Sequence, residues 1–163
     1  MLVPFAALPG LAYAASGARR LRFWHAHTGE RLNVTYCEDG AYLPDALAEI
    51  NYLLRDFRTG EVHVIEPGLL DFVHRIQAVA DSRGTFEIFS GYRSPATNRM
   101  LRLTTNGVAK NSFHMQGQAL DIRLTDVATG TARDIASQLG LGGVGYYPNS
   151  DFLHVDTGPV RDW

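Results

Sequence analysis

Two histidines and one aspartate, His114, Asp121 and His154, are of types and in positions that could bind a metal ion. His114 lies in the polar, glycine-bearing segment 112–117, which is typical of a loop, and Asp121 follows on a predicted strand. His154 lies on the last predicted strand. Two neutral imidazoles and a carboxylate suit Zn²⁺ and leave its fourth position for a water whose pKa falls to about 7. Spacing alone is weak support, since a lone histidine on a strand is usually an ordinary polar residue.

The composition narrows the kinds of metal site and partner that this chain can have. Its 163 residues and 18.0 kDa suit one domain, and 45% hydrophobic with 20% charged residues is ordinary globular composition. The net charge of -2 lacks the basic footprint of a nucleic-acid-binding protein. Cys37 is the only cysteine, so no internal disulfide forms and any metal must be held by histidine and carboxylate. No apolar run approaches the roughly 20 residues of a membrane span.

The first residues of the chain are apolar and uncharged. This run extends from Leu2 to Ala12, and Ala12-Tyr13-Ala14 has the small-x-small form of a signal-peptidase site. We therefore interpret residues 1–14 as the remnant of an export signal that lacks its basic start. The alternative is a hydrophobic arm that packs on the domain. An exported protein would act in the periplasm or cell envelope.

The elements that must position the three candidate ligands follow from the periodicity of the apolar residues. Over the first half, the pattern predicts a hairpin at 21–36 and helices at 44–60 and 67–84. Over the second half, it predicts strands at 86–90, 119–124, 144–147 and 152–156 and helices at 96–103 and 131–139. Asp121 and His154 then face away from the apolar rows of their strands. Helices come early and strands late, so we expect an α+β fold with a small antiparallel sheet flanked by helices.

Several motifs taken together resemble a known family. They are the segments 90–95 (SGYRSP), 112–122 (SFHMQGQALDI), 145–148 (GYYP) and 154–158 (HVDTG), with Asn98 after the first. This combination resembles the YcbK-like murein endopeptidases, which are related to the zinc D-Ala-D-Ala peptidases, the lysostaphin-type peptidases and the hedgehog signalling domain. The resemblance covers roughly residues 20–163, which predicts one zinc peptidase domain with a fold like that of these relatives.

The resemblance implies a zinc peptidase that acts on the peptide stems of peptidoglycan. It assigns His114, Asp121 and His154 as the zinc ligands and Arg93 as the group that stabilises the oxyanion. A fixed guanidinium suits that role, because amide hydrolysis builds negative charge on the former carbonyl oxygen. The alternative for Arg93 is a salt bridge that makes its turn rigid.

Three tyrosines, Tyr92, Tyr146 and Tyr147, are candidate substrate-binding residues. All three follow a glycine or a second tyrosine in the motifs quoted above, and aromatic side chains beside glycines often form a groove wall. Such side chains are equally common in cores. The sequence does not decide whether these tyrosines line a groove or lie in the core.

The sequence leaves two candidates for the general base, Asp151 and Asp156. Relatives with a Glu-x-x-His motif place the base three residues before the last ligand, which is Asp151 here, with a side chain one methylene shorter. Asp151 could equally be a turn residue. Asp156 lies two residues after His154, so both side chains point to the same face of one strand. It could be the base or the partner that orients a ligand imidazole.

Three functions therefore compete. The first is a zinc-dependent endopeptidase or carboxypeptidase that cuts peptide cross-links in peptidoglycan with metal-activated water. The second is a wall-binding module that keeps zinc without turnover, and the third is an enzyme on small D,D-dipeptides. A second metal site at His25 and His27 is less well supported, because a half-exposed strand face accounts for both residues. The oligomeric state is open.

Overall fold

The computed structural model describes residues 17–163, which form eight strands and four α-helices. The strands are β1 (Arg19–His25), β2 (Arg31–Glu38), β3 (Ala41–Tyr42), β4 (Phe86–Ser90), β5 (Ala119–Leu124), β6 (Gly143–Tyr147), β7 (Phe152–Asp156) and β8 (Arg161–Asp162). The helices are α1 (Pro44–Leu53), α2 (Pro67–Val79), α3 (Pro95–Thr104) and α4 (Thr129–Leu139), and a 3-10 helix covers Phe113–Gln116. The predicted export signal, residues 1–14, lies outside the described residues. None of the helices in 17–163 is long and apolar enough to cross a membrane.

All eight strands belong to one mixed sheet with the order β3-β2-β1-β4-β5-β7-β6-β8. The β1–β4 and β6–β8 pairs are parallel, and the other neighbours are antiparallel. The prediction of a small antiparallel sheet is therefore wrong, although helices and strands are mixed as expected. Parallel strands need a long crossover. Here the crossover from β1 to β4 contains α1 and α2, and periodicity within each element carries no information about it.

One face of the sheet is buried beneath α2 and α4. Alternate residues of β5 and β7, among them Leu120, Ile122, Leu153 and Val155, are almost fully buried there. Burial of each such side chain stabilises the fold by roughly 1.5–3 kcal/mol relative to exposure. Because side chains alternate along a strand, the residues between them must face the opposite side of the sheet. The candidate ligands on β5 and β7 therefore lie away from the helices.

The starts of α1 and α2 follow the sequence, but their ends do not, since α2 ends at Val79 and not at 84. Proline stands at the first position of α1, α2 and α3, where its missing N–H leaves no intrahelical bond unmade. The prediction that the first helix reaches Gly60 is wrong, because α1 ends at Leu53. A turn follows, in which Asp56 accepts hydrogen bonds from the backbone N–H groups of Arg58 and Thr59 at 2.9 and 3.4 Å. This turn removes Phe57 from the helix.

Phe57 instead joins an aromatic cluster with the histidines of β1 and its following turn. Its ring stacks on His27 at 4.3 Å between centroids and lies edge-on to His25 at 5.5 Å. His25 is fully buried rather than half-exposed, and its Nε2 has no hydrogen-bond partner within residues 17–163. Burial, assisted by the neighbouring His27, lowers the pKa of His25 to about 4. The imidazole is therefore neutral at physiological pH and serves as a core aromatic residue.

This burial makes a prediction about acid stability. The folded pKa of His25 lies below its ordinary value of 6.5, so protons bind the unfolded chain more tightly between pH 6.5 and about 4. Between pH 7 and pH 4.5, His25 should lower the free energy of unfolding of the wild type by about 2 kcal/mol. We expect His25→Gln to lack this part of the acid sensitivity. Urea unfolding at both pH values measures the difference, with His27→Gln as the control for loss of an imidazole. Parallel loss of stability in the wild type and His25→Gln would contradict the account.

Candidate metal centre

His114 is fixed by the 3-10 helix that precedes β5. Its Nδ1 lies 2.8 Å from the carbonyl oxygen of Gly91. Because a carbonyl oxygen only accepts, Nδ1 must donate, and the lone pair of the neutral ring lies on Nε2. The 3-10 helix ends at Gly117, whose φ of 68° favours glycine and where a Cβ would overlap the carbonyl oxygen of Val64. The buried imidazole thus presents Nε2 to the exposed side of the sheet.

Asp121 and His154 meet because β5 and β7 pair antiparallel with these two residues directly opposite each other. Asp121 Oδ1 lies 2.8 Å from His154 Nδ1 and 3.3 Å from His114 Nε2. Burial by itself raises the pKa of Asp121, but the two imidazoles outweigh it and hold that pKa far below its ordinary value. The carboxylate is therefore ionised, as a metal ligand must be.

The three side chains offer a set of donors that fits a metal ion. Their ligand atoms all lie within 4.8 Å of one another. Two donors bound to a tetrahedral Zn²⁺ at 2.0–2.2 Å are about 3.3 Å apart, close to the distances around Asp121. Two imidazoles and a carboxylate also match the composition of a catalytic zinc site, which has three protein ligands. His114 Nε2, Asp121 Oδ1 and His154 Nδ1 are the atoms that would hold it.

Asp156 fixes the orientation of His154. Its Oδ2 lies 3.0 Å from His154 Nε2, and Arg161 binds both of its oxygens, at 2.7 and 3.1 Å. The backbone N–H groups of Gly143 and Gly158 donate to Oδ1 at 3.2 and 2.9 Å. Asp156 is fully buried, and its pKa is lowered because these hydrogen bonds outweigh the effect of burial. Such a partner for the far nitrogen of a ligand imidazole sets which nitrogen faces the metal.

The protonation of His154 follows from its two carboxylate neighbours. Burial by itself lowers the pKa of His154, but hydrogen bonds with Asp121 and Asp156 outweigh it and raise the pKa to about 9. Without metal, both ring nitrogens therefore carry protons at neutral pH. A metal ion bound at Nδ1 would displace the proton from that nitrogen and leave the one shared with Asp156.

Arg93 lies beside the cluster in the turn after β4. Its Nη2 is 3.8 Å from Asp121 Oδ2 and donates to Ser90 Oγ at 3.3 Å, while Nη1 donates to Asn98 at 3.5 Å. The side chain is mostly buried, and among the described residues its Nε has no hydrogen-bond partner. The backbone N–H of Arg93 donates to the carbonyl oxygen of His114 at 3.1 Å, which ties the turn to the 3-10 helix. A fixed positive charge therefore lies next to the ligand carboxylate.

Asp151 lies apart from this cluster, in the turn between β6 and β7. Its φ of 50° places it in the left-handed region. Its two oxygens accept hydrogen bonds from Thr129 Oγ1 at 2.7 Å and Arg123 Nη1 at 3.0 Å, and its side chain is 59% exposed. The carboxylate lines a separate open cavity of about 730 Å³ that none of the three candidate ligands lines.

The three candidate tyrosines take three different positions. Tyr147 lies on the metal side of the sheet, where it stacks on Phe152 at 4.6 Å. Tyr146 points to the opposite side, under the Arg133 guanidinium of α4 at 5.1 Å, and lines the same cavity as Asp151. Tyr92 is nearly buried and stacks on His63 at 4.6 Å. Of the two tyrosines on β6, Tyr147 is thus brought to the same face as His154 and Tyr146 is not.

Two residues near the site were missed in the sequence, namely Arg161 and Trp163. Arg161 binds Asp156, and the Trp163 ring lies 5.3 Å from the His154 ring. Both lie within ten residues of His154, and a search for a cation to pair with a buried aspartate could have found Arg161. Trp163 gave no comparable signal, because its place depends on pairing of its backbone with β6.

A largely buried His-Asp-His set with an arginine beside it is typical of a mononuclear metal-dependent hydrolase. The Peptidase_M15_2 family, described as peptidoglycan L,D-endopeptidase MepK, matches residues 13–163. The chain belongs to this family, which confirms the resemblance found in the sequence motifs.

Relatives match over almost the whole chain. The peptidoglycan L,D-endopeptidase MepK of Escherichia coli K12 is 40% identical over 161 residues, covering 97% of this chain and 88% of that protein. The probable peptidoglycan L,D-endopeptidase MepK of Haemophilus influenzae is 44% identical over 146 residues, covering 89% and 78%. The crystal structure of the Serratia marcescens L-Ala D-Glu endopeptidase ChiX is similar with a TM-score of 0.42 and 18% identity, covering 69% of this chain and 86% of that one.

The contacts of Asp156 predict a specific effect on metal affinity. Asparagine at this position keeps the size of the side chain but removes the charge that holds the proton on His154 Nε2. We expect Asp156→Asn to weaken zinc binding about 10- to 100-fold. Competition with a chromogenic chelator measures this, with Asp134→Asn on the exposed face of α4 as the control. Unchanged zinc affinity in Asp156→Asn would contradict the positioning role.

Proposed function

We propose that this chain is a zinc-dependent peptidoglycan endopeptidase that hydrolyses peptide cross-links. The observation that carries the proposal is the convergence of His114 Nε2, Asp121 Oδ1 and His154 Nδ1 beside Arg93. Membership of a family described as peptidoglycan L,D-endopeptidase supports the substrate. When bound, zinc supplies Lewis acidity and lowers the pKa of a coordinated water to about 7.

The substrate also supports a location. Peptide stems of peptidoglycan are reached outside the cytoplasmic membrane, so we place the protein in the periplasm or cell envelope. The apolar run before the Ala12-Tyr13-Ala14 site serves in this proposal as the remnant of the export signal. Residues 20–163 then act as a single catalytic domain. One continuous core over the described residues is in keeping with such a domain.

Arg93 is proposed to stabilise the oxygen that becomes negative during hydrolysis. Its guanidinium lies beside Asp121 and is held by Ser90 and Asn98, so it would need no rearrangement when the charge develops. Its burial strengthens that interaction, since water screens the charge less. The contact with Asp121 is the salt bridge considered as an alternative, and both roles use the same fixed geometry.

We assign different roles to the two candidate bases. Every oxygen of Asp156 is engaged by His154, Arg161 or a backbone N–H, and the residue is fully buried, which supports a positioning role. Asp151 is exposed and is the remaining candidate for the base by its spacing from His154. It lies apart from the three ligands, so its carboxylate would have to release Arg123 and Thr129 and its turn would have to move toward the metal before it could act.

The engagement of both acids favours one alternative, a wall-binding module that holds zinc without turnover. In that case the surface around the metal centre would bind peptide stems, and no carboxylate would take a proton from water. An enzyme on free D,D-dipeptides is the other alternative. These three functions predict different outcomes with the same set of substrates.

The central experiment is digestion of purified peptidoglycan, with identification of the released fragments by mass spectrometry. We expect release of un-cross-linked peptides, loss of release with a chelator, and recovery on addition of zinc. Intact wall with tight protein binding would contradict the endopeptidase in favour of the binding module. Activity confined to free dipeptides would contradict it in favour of the dipeptidase.

The assignment of the base has its own test. We expect Asp151→Asn to lower kcat about 10²- to 10⁴-fold, the usual contribution of general base catalysis, while zinc affinity stays at the wild-type value. Steady-state kinetics on a cross-linked muropeptide, with zinc content measured in the same sample, give both quantities. Asp134→Asn is the control. Full kcat in Asp151→Asn would exclude this residue as the base.

A further inference from the structure

Trp163 is anchored beside the metal side of the sheet by its own backbone. Its N–H donates to the carbonyl oxygen of Val144 at 3.1 Å, and its carbonyl accepts from the N–H of Tyr146 at 3.0 Å. These bonds continue the parallel pairing of β8 with β6. The side chain nevertheless stays 51% exposed. A large aromatic ring is therefore held in a fixed place with half of its surface facing solvent.

The indole lies over a glycine that leaves room for it. A Cβ at Gly145 would come within 2.5–2.8 Å of three indole atoms, so any larger residue there would displace the ring. Gly145 is the register partner of His154, and the two rings of His154 and Trp163 are 5.3 Å apart. The Nε1–H of the indole donates to the Tyr147 hydroxyl at 3.0 Å. The ring is thus oriented by contacts on both sides and borders a candidate metal ligand.

Further aromatic rings continue from Trp163 along the same side. Tyr147 stacks on Phe152 at 4.6 Å, and Phe152 contacts Phe89 at 6.0 Å. Tyr147 and Phe152 are register partners and lie two residues from Gly145 and His154 on their strands. We call Trp163, Tyr147, Phe152 and Phe89 the aromatic wall. It leads from the metal ligand His154 across the sheet and is partly open to solvent.

We propose that the aromatic wall binds the peptide next to the scissile bond, with Trp163 as a specificity-determining residue that packs against its aliphatic side chain. The proposal rests on the proposed endopeptidase function. Because the wall begins at a metal ligand, the part of the substrate that reaches it must adjoin the bond at the metal, which is peptide and not glycan. The partner is therefore the alkyl portion of a peptide stem, bound by burial of apolar surface.

Kinetics on a glycan-free cross-linked peptide dimer test the role of Trp163. We expect Trp163→Ala to raise KM roughly tenfold, as loss of about 50 Å² of apolar contact would do, with kcat changed less. Trp163→Phe should restore most of the affinity. Zinc affinity and thermal unfolding, measured in parallel, should stay near the wild-type values. An unchanged KM, loss of kcat together with zinc affinity, or an effect seen only with glycan-bearing substrate would overturn the proposal.

A binding measurement separates this proposal from the proposed function. The chain contains two tryptophans, so Trp24→Phe leaves Trp163 as the single tryptophan fluorophore. Trp24 lies on β1 and contacts Arg31, outside the wall, which makes this variant the matched control. We expect the peptide dimer to shift or quench its fluorescence, even if the dimer is not hydrolysed. If the dimer is cleaved and the fluorescence does not change, the wall proposal fails while the endopeptidase proposal stands.

Discussion

The pairing of β5 with β7 is the constraint on which the candidate site depends. It sets Asp121 opposite His154, and the alternation of side chains sends both to the face away from α2 and α4. The register is held by burial of the residues on either side, Leu120, Ile122, Leu153 and Val155. A slip of one residue in either strand would turn its own ligand, Asp121 or His154, into the core and expose the two apolar side chains beside it. Stability of the core and geometry of the site therefore have the same origin.

Electrostatics then makes this register a candidate metal site. A carboxylate between two imidazoles is costly to bury unless each group has a partner. Asp121 finds partners in His114 and His154, and His154 in turn is held by Asp156. The buried charge of Asp156 is compensated by Arg161 and by two glycine N–H groups. This chain of contacts leads from the metal ligands to the C-terminal segment, where Trp163 borders the same imidazole.

Much of the site could be predicted from the sequence, because it depends on local patterns. The alternation of apolar residues in 119–124 and 152–156 already sends Asp121 and His154 to one side, and the family motifs name the three ligands. The same parity also places Tyr146 with Leu153, on the side of the helices, and Tyr147 with Phe152 on the other side. The helix starts at proline likewise follow from single residues.

The features of the fold and the site that the sequence does not predict depend on contacts between distant segments. The parallel pairing of β1 with β4 joins strands separated by two helices, and nothing in the periodicity of either strand reveals it. The end of α1 depends on Asp56, which accepts hydrogen bonds within its own turn and from the N–H of Ser94 at 2.9 Å. The burial of His25 depends on Phe57 in that same turn. Trp163 reaches the site only through its pairing with β6.

Zinc K-edge X-ray absorption on the protein loaded with one equivalent of zinc tests the central claim most directly. The account predicts a low-coordinate site with nitrogen and oxygen ligands only, including two imidazoles at about 2.0–2.1 Å. His154→Ala should lose the contribution of one imidazole, whereas His27→Ala should leave the spectrum unchanged. A sulfur ligand from Cys37, or a spectrum that His154→Ala does not alter, would contradict the convergence of His114, Asp121 and His154 on one ion.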